Sequence, residues 1–221
     1  MSQTLRLRQR GLIVSSQAIA GSPLRDSNAL VRIGIDALMG GASALRLAGA
    51  EVVKLAKTFT DAPIIGIIKT EREGFEPRIT AIVNEIEVLK DAGADIVGID
   101  STNRRRPEPI EHLYKRARDL QIEIFADIAT LEEAKRARDL GADYVATTLA
   151  GYTRDRASTV GPDLDLLESM TSLGMLVVAE GRFTTSKQIQ DAFEIGVHSV
   201  VIGRAITSPQ TIVRQLLSEI S

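Results

Sequence analysis

Short apolar runs recur along the whole chain, and residues 64–70, IIGIIKT, give the clearest example. Four of their first five residues are isoleucine, which is typical of a strand buried on both faces of a parallel sheet. Other runs of similar length share this character. The pattern predicts eight strands, at residues 12–17, 44–47, 64–69, 95–100, 122–127, 143–148, 175–180 and 198–203.

Segments with helical spacing of apolar residues lie between the predicted strands, and residues 79–92, 131–140 and 187–195 are the plainest. Thr130 and Glu133 have the spacing of a capping box at the start of the fifth helix. Four connections from a helix to the next strand share one sequence pattern, a glycine followed by small residues and a short apolar strand. They are GGASALRLA, AGADIVGID, LGADYVATT and IGVHSVVIG. These features predict that helices alternate with the strands.

The alternation of eight strands with eight helices predicts the fold class α/β, as a single (βα)8 TIM barrel. A doubly wound sheet shares this alternation, so the pattern favours a closed barrel without proving closure. No proline-rich or glycine-rich linker divides the sequence. We therefore expect one domain over residues 1–221, with residues 1–10 as a short N-terminal extension.

Polar residues stand at or just after the carboxyl ends of the predicted strands, where (βα)8 enzymes have their functional sites. They are Gln17, Arg46, Lys69, Asp100, Asp127, Thr147 with Thr148, Glu180, and Arg204 after Gly203. Lys69 and Glu180 end the third and seventh strands, so they should face each other across the barrel mouth. Two proton carriers on opposite sides of a ligand can address opposite faces of one carbon atom. A structural ion pair in the top layer of the barrel is the alternative interpretation.

Lys69 ends a strand that is otherwise apolar, and an ammonium group is disfavoured where water is excluded. We expect burial to lower the pKa of Lys69 and to leave part of it neutral. Asp100 and Asp127, on neighbouring strands, could hold substrate hydroxyl groups, orient Lys69 or cap helices.

Glycine-containing turns follow the last two strands, at Gly181-Arg182 and at Gly203-Arg204. In (βα)8 barrels these loops are the usual phosphate site, because glycine lets backbone amides approach an anion. Either arginine could add charge-assisted hydrogen bonds. We predict these four residues as phosphate-binding, although glycine after a strand is also a common turn residue.

Composition excludes several other kinds of chemistry. With no cysteine, the chain cannot form disulfides, use a thiolate nucleophile or bind a metal through sulfur. Its two histidines, His112 and His198, are far apart, and no dinucleotide glycine fingerprint occurs, so we expect no metal site and no cofactor. Aspartate and glutamate could still hold magnesium. A net charge of −2 gives no general attraction to nucleic acid.

The first ten residues, MSQTLRLRQR, lack the apolar core of a signal peptide, and no later run reaches the length of a membrane span. We therefore expect a cytoplasmic protein that does not bind membranes. The arginines at 104–106 and the short exposed apolar helix faces are compatible with a homodimer.

Seven segments of the sequence resemble one known family. GLIVSSQAIAGSPL, IIGIIK, GIDSTNRRRP, FADIATLEEA, TTLAGYT, VVAEGR and IGRAITSPQTI occur in the same order in N-acylglucosamine-6-phosphate 2-epimerases, also called N-acetylmannosamine-6-phosphate 2-epimerases. The resemblance runs from near Gly11 to the C-terminus.

This resemblance implies a (βα)8 barrel that interconverts the 6-phosphates of N-acetylmannosamine and N-acetylglucosamine in amino-sugar and sialic-acid breakdown, without a redox cofactor. It implies Lys69 as the catalytic base and Glu180 as the opposing acid. The binding site for the small-molecule sugar phosphate would then be lined by Gln17, Arg46 and Asp127. We add Thr148 to the predicted substrate-binding residues because it ends the sixth predicted strand.

Two other functions stay open at this point. A lysine Schiff-base aldolase or lyase acting on a keto-sugar phosphate would also need a lysine that faces a carbonyl carbon. A catalytically silent barrel that binds a sugar phosphate and regulates a partner would bind ligand without exchanging hydrogen at C2. The pairing of Lys69 with Glu180 speaks against the silent barrel.

Overall fold

The computed structural model describes residues 6–19 and 21–220. In that part of the chain eight parallel strands are hydrogen-bonded in sequence order, and the last pairs with the first to close the ring. The strands are β1 (Gly11–Ser16), β2 (Ala44–Ala48), β3 (Ile64–Ile67), β4 (Ile96–Asp100), β5 (Glu123–Asp127), β6 (Tyr144–Ala146), β7 (Val177–Glu180) and β8 (Ser199–Ile202). The predicted (βα)8 barrel is confirmed, and the doubly wound alternative is excluded.

Helices follow every strand and cover the outside of the barrel. They are α1 (Ser27–Met39), α2 (Ala50–Ala56), α3 (Val83–Asp91), α4 (Ile110–Asp119), α5 (Leu131–Leu140), α6 (Leu164–Thr171), α7 (Ser186–Ile195), α8 (Arg204–Thr207) and α9 (Pro209–Glu219). The last unit has two helices because the Ser208 side chain caps α9, whose first residue is Pro209. The capping box of Thr130 and Glu133 is present at α5, as predicted.

The third helix begins later than its apolar spacing predicts. The prediction was residues 79–92, whereas α3 starts at Val83. Beyond β3, residues 68–70 pair antiparallel with residues 78–80, which takes Ile79 out of the helix. Backbone hydrogen bonds in this hairpin therefore override the helical pattern.

Lys69 lies in that hairpin and not on β3, which ends at Ile67. Its side chain is exposed. The expectation that Lys69 would be enclosed in an apolar wall is wrong, because the apolar strand stops before reaching it. Gln17, Thr147, Thr148 and Gly203 also lie just beyond their strands, whereas Asp100, Asp127 and Glu180 are the last residues of theirs.

The barrel interior is filled by a layer of buried side chains from all eight strands. They are Ile13, Ala44, Ile65, Ile96, Phe125, Tyr144 and Ala146 (both of β6), Val178 and Val201. Residues of the opposite strand face pack against the helices. Open space therefore begins only above this layer, at the carboxyl ends of the strands.

The opposite end of the barrel is closed by the segment before β1. Leu7 is 3% exposed and packs into the interior layer, and its N–H donates to the Tyr144 hydroxyl at 3.1 Å. That hydroxyl donates to Glu123 at 3.1 Å. Residues 6–10 of the predicted extension are thus part of the packed fold, and residues 1–5 lie outside the described residues.

The outer surface is less covered at the C-terminal helix than elsewhere. No residue of α9 is fully buried, and Val213, Leu216 and Ile220, on or just after it, are exposed apolar side chains. Across residues 6–19 and 21–220, none of the helices combines the length and apolar character that crossing a membrane requires.

Candidate active site

Three charged side chains lie directly above the interior layer. Because side chains on a strand alternate between its two faces, a residue two positions after an inward-facing one also points inward. Arg46, Asp127 and Glu180 follow the inward-facing residues Ala44, Phe125 and Val178 in this way. They meet at the carboxyl end of the barrel.

Arg46 joins the two carboxylates. Its Nη2 donates to the two Asp127 oxygens at 3.0 and 2.8 Å, and its Nη1 donates to Glu180 Oε1 at 3.3 Å. Arg46 is 2% exposed and Asp127 is fully buried, whereas the Glu180 side chain is 13% exposed. The guanidinium also lies 5.7 Å from the centre of the Phe125 ring. One buried cation therefore serves two carboxylates, of which only Glu180 reaches open space.

The pKa values in this group depend on one another. Burial would lower the pKa of Arg46, but attraction to Asp127 and Glu180 outweighs burial and raises it. For Asp127, burial raises the pKa of the carboxyl group, Arg46 opposes the rise, and the charge of Glu180 adds to it. The ionised form of Asp127 therefore depends on Arg46.

Two threonines in the turn after β6 hold the carboxylates in place. The Thr148 hydroxyl lies 2.5 Å from Asp127 Oδ1 and 3.2 Å from Glu180 Oε2, within hydrogen-bonding distance of both. Thr147 Oγ1 accepts from the Glu180 N–H at 3.1 Å and donates to the Glu180 carbonyl at 2.9 Å. Glu180 is thus fixed through its backbone and through its carboxylate.

An open cavity of about 830 Å³ lies above this charged layer. Gln17, Arg46, Lys69, Thr148 and Glu180 line it. β3 and β7 are opposite each other in the closed ring of eight strands. Lys69 and Glu180 therefore enter the cavity from opposite sides.

Lys69 is exposed inside the cavity, but surrounding protein displaces part of its hydration. This desolvation, followed by the positive charge of Arg46, lowers the pKa of the Lys69 ammonium below its ordinary value, against the pull of Glu180 and Asp127. Water in the open cavity screens part of these interactions. The lowered pKa favours the neutral amine, which is the form that accepts a proton.

The eighth strand leads into a glycine turn that opens on the cavity. Gly203 precedes α8, and Arg204, the first residue of that helix, is exposed. The Arg204 guanidinium has no hydrogen-bond partner in the part of the chain that the structure describes. Gly181 lines the same cavity with a φ of 116°, a conformation that favours glycine. The phosphate-binding role of these residues stays a prediction.

Arg182 also lines the cavity, but its guanidinium is already engaged. Nε donates to the Gly161 carbonyl at 2.7 Å, Nη1 to the Ala150 carbonyl at 2.8 Å and Nη2 to Thr159 Oγ1 at 2.9 Å. A role for Arg182 in phosphate binding is untested. In this structure its charge is directed at a neighbouring loop.

Two further strand-end residues differ in what they contact. The Gln17 amide donates to the Ser15 hydroxyl at 2.8 Å at the edge of the cavity. Asp100 is fully buried and accepts from Thr102 Oγ1 at 2.6 Å and from Arg104 Nη2 at 2.7 Å. Asp100 does not line the cavity, so it organises its own loop.

Part of the cavity wall comes from residues that do not stand at the end of a strand and were therefore not predicted as site residues. Tyr152 and Val160 belong to the loop before α6, and Thr211 and Gln215 lie on α9. Tyr152 and Thr211 fall within the motifs TTLAGYT and IGRAITSPQTI, but none of the four residues ends a strand. They reach the cavity only through the packing of distant elements.

No cluster of three or more histidine, aspartate or glutamate side chains suited to a metal ion occurs among residues 6–19 and 21–220. The expectations of no metal and no cofactor stay predictions.

Comparison with known proteins gives one consistent result. Residues 30–221 match the model of a family described as "Putative N-acetylmannosamine-6-phosphate epimerase". A Caldanaerobacter subterraneus protein named "Putative N-acetylmannosamine-6-phosphate 2-epimerase" is 38% identical over 95% of this chain and 91% of its own. The solved N-acetylmannosamine-6-phosphate 2-epimerase from Clostridium perfringens is similar with a TM-score of 0.92 and 36% identity, over 95% of this chain and 93% of that one.

A more distant neighbour shares the fold alone. The thiamine phosphate pyrophosphorylase from Pyrococcus furiosus is 21% identical, with a TM-score of 0.61 over 95% of this chain and 96% of that one. The family model and the C. perfringens structure, by contrast, extend over most of the chain and agree with the resemblance of its motifs. The chain belongs to the N-acetylmannosamine-6-phosphate 2-epimerase family.

Proposed function

We propose that this protein is a cofactor-independent epimerase that interconverts N-acetylmannosamine 6-phosphate and N-acetylglucosamine 6-phosphate, in the catabolism of amino sugars and sialic acid. The observation that carries the proposal is the entry of Lys69 and Glu180 into one cavity from opposite sides of the barrel. Family membership supports the choice of substrate, since its named relatives are epimerases of this sugar phosphate.

The two sugars differ only in configuration at C2, so one proton must leave one face and another must arrive on the opposite face. In the ring-opened sugar the C1 aldehyde makes the C2 proton acidic, because the electron pair left behind moves onto the carbonyl oxygen. The neutral amine of Lys69 takes this proton and becomes ammonium. The carboxylic acid form of Glu180 then protonates the other face, the electron pair returns to C2, and exchange with water restores both side chains.

The buried layer beneath the cavity supplies orientation and charge. Arg46 and Thr148 contact different oxygens of the Glu180 carboxylate, which restricts its rotation. Arg46 also lines the cavity, where its positive charge can stabilise the enolate oxygen. Asp127 balances that charge, so Arg46 is not buried without a partner.

The 6-phosphate is assigned to the turns after β7 and β8. Arg204 supports this assignment because its guanidinium is exposed at the cavity and has no protein partner among the described residues. Backbone amides at Gly181 and Gly203 can add hydrogen bonds to an anion. Gln17 would meet the sugar from the β1 side of the cavity.

Proton NMR of N-acetylmannosamine 6-phosphate incubated with the protein in heavy water tests the function directly. Wild-type protein should convert the sugar to its C2 epimer and introduce deuterium at C2. Lys69→Ala and Glu180→Gln should each lower turnover by roughly 10²–10⁴-fold, the usual contribution of one general acid or base. Near-normal epimerisation by Lys69→Ala would refute the mechanism.

The isotopic pattern separates the two proton carriers. Glu180→Gln should still allow Lys69 to exchange deuterium into one epimer without converting it to the other. Lys69→Ala should block this exchange when the reaction starts from the same epimer. If borohydride reduction in the presence of substrate left the substrate covalently attached to Lys69, the protein would instead be a Schiff-base aldolase or lyase.

The assembly of the protein and its place in the cell are separate questions. We infer a homodimer and a cytoplasmic location from the sequence. Light scattering coupled to size-exclusion chromatography measures the first, and cell fractionation the second.

A further inference from the structure

The part of the β6–α6 connection that follows Thr148 forms one wall of the cavity and has no role in the chemistry described so far. We call residues 150–163 the wall loop. Tyr152, Val160 and Gly161 of this loop line the cavity. The position of this loop therefore sets the shape of the space that a substrate can occupy.

Arg182, from the turn after β7, holds the wall loop at its first residue and again at residues 159–161. Its three guanidinium nitrogens donate to the Ala150 carbonyl, to Thr159 Oγ1 and to the Gly161 carbonyl, at 2.8, 2.9 and 2.7 Å. All three acceptors belong to the wall loop. The same guanidinium lies 5.6 Å from the centre of the Tyr152 ring. One side chain thus joins the start of the wall loop to residues 159–161.

The backbone on both sides is shaped for this contact. Arg182 has a φ of 60°, a left-handed conformation that residues other than glycine rarely adopt unless their surroundings determine it. Gly151, with a φ of 81°, passes so close that a Cβ there would lie 2.9 Å from Arg182 Nη1 and 2.8 Å from Ser158 Cα. A side chain at Gly151 would therefore push this residue away from both Ser158 and Arg182.

The end of the wall loop nearest α6 is held independently. Arg156 donates from Nε and Nη2 to the two carboxylate oxygens of Asp163, each at 2.8 Å. Asp163 also accepts from the Leu166 N–H at the start of α6. Because this ion pair is internal to the loop, loss of Arg182 should release the cavity-facing part without unfolding its attachment to α6.

The wall loop presents apolar surface to the cavity. Tyr152 is 52% exposed and Val160 is fully exposed, and both line the cavity. The charged groups Lys69, Glu180 and Arg204 belong to other loops and strands. The sugar ring and the phosphate of an N-acyl amino-sugar phosphate are polar, so its acyl chain is the group that suits an apolar wall.

We propose that Arg182 is a positioning residue that holds the wall loop, and that Tyr152 and Val160 form the surface that contacts the N-acyl group of the substrate. The acyl contact rests on the proposed function, whereas the holding of the loop by Arg182 does not. Arg182 then acts on the reaction through the shape of the cavity, and Arg204 carries the contact with phosphate.

Hydrogen–deuterium exchange on the ligand-free protein tests the positioning role. Arg182→Ala and Arg182→Lys should both speed amide exchange in the wall loop. Lysine keeps the charge, but its three donors sit on one nitrogen and cannot span acceptors that three separate guanidinium nitrogens reach. Thr159→Val, which removes one acceptor, should give a smaller increase. Gly151→Ala should reproduce the Arg182→Ala result with the arginine still present. Arg154→Ala is the matched control, since this exposed arginine lies in the same loop and should leave exchange unchanged.

Kinetics with N-acetyl, N-propanoyl and N-butanoyl mannosamine 6-phosphates tests the acyl contact. A hydrophobic pocket discriminates one methylene by roughly 10–200-fold, so Tyr152→Ala and Arg182→Ala should shift the kcat/KM ratio between neighbouring acyl chains by about fivefold or more. The change should appear mainly in KM, because Lys69 and Glu180 are untouched. Arg182→Ala should lower the activity on phosphorylated and on unphosphorylated sugars by the same factor.

Wild-type exchange rates for the wall loop in Arg182→Ala would overturn the positioning role. A loss confined to the phosphorylated sugar and rescued by Arg182→Lys would show that Arg182 binds phosphate instead. An unchanged acyl ratio in Tyr152→Ala and in Val160→Ala would overturn the acyl contact. If wild-type protein epimerises none of these sugars, the proposed function and the acyl contact both fail, and the exchange measurement still decides the role of Arg182.

Discussion

Replacing Arg46 by methionine should destabilise the protein strongly, because Asp127 would lose its ionic partner inside the barrel. The two side chains are at most 2% exposed and share hydrogen bonds of 3.0 and 2.8 Å. Removing one partner of a buried ion pair costs about 3–5 kcal/mol, since the remaining charge stays desolvated. We expect a loss of free energy of unfolding in this range at pH 8. The Glu180 contact is longer and more exposed, so it adds less.

The loss should be smaller at pH 5 than at pH 8. Burial already raises the pKa of Asp127 in the wild-type protein, and removal of the Arg46 charge should raise it further. A carboxyl group whose pKa is higher in the folded state than in the unfolded chain contributes stability at low pH, and that contribution is lost as pH rises through the folded-state pKa. Urea denaturation followed by circular dichroism at both pH values measures the difference.

A double variant provides the control. Arg46→Met with Asp127→Asn removes both charges, so it should recover most of the pH-dependent part of the loss. An Arg46→Met variant that loses less than about 1 kcal/mol, the level of an exposed pair, would refute the reasoning. So would an equal loss at pH 5 and pH 8.

Other predictions address the phosphate, the barrel wall and metal ions. Arg204→Ala should weaken binding of the 6-phosphate sugar by roughly 1.5–3 kcal/mol in calorimetric titration; an equal loss for the unphosphorylated sugar would contradict it. Gly98→Ala places a Cβ 2.5 Å from Ile67 Cγ2 and 3.5 Å from Asp127 Oδ2, so thermal unfolding should show a loss of about 1–3 kcal/mol, and wild-type stability would refute the crowding. Exhaustive chelation should leave turnover unchanged, and restoration of a lost activity by Mg²⁺ or Zn²⁺ would reject this.

The chain by itself predicted the alternation of strands and helices and the polar residues at the strand ends, and it favoured a closed barrel without proving closure. Eight apolar runs separated by helical segments specify alternating strands and helices whatever the loops do. The twofold period of a strand then places Arg46, Asp127 and Glu180 inward, because each stands two positions after a buried residue. These results depend on the spacing of apolar and polar residues within short segments, which is visible in the sequence.

Only the tertiary structure decided what lies above that layer. The apolar run before Lys69 predicts a longer strand, but the hairpin after β3 ends it at Ile67 and leaves the lysine exposed. The position of Arg182 in a glycine turn predicts phosphate binding. Its guanidinium instead donates to the wall loop, which lies earlier in the chain. Tyr152 lies in the TTLAGYT motif, but it does not end a strand, so no local spacing places it at the cavity. Which loops meet over the barrel mouth depends on the packing of elements distant in the chain, and spacing within any one segment carries no information about it.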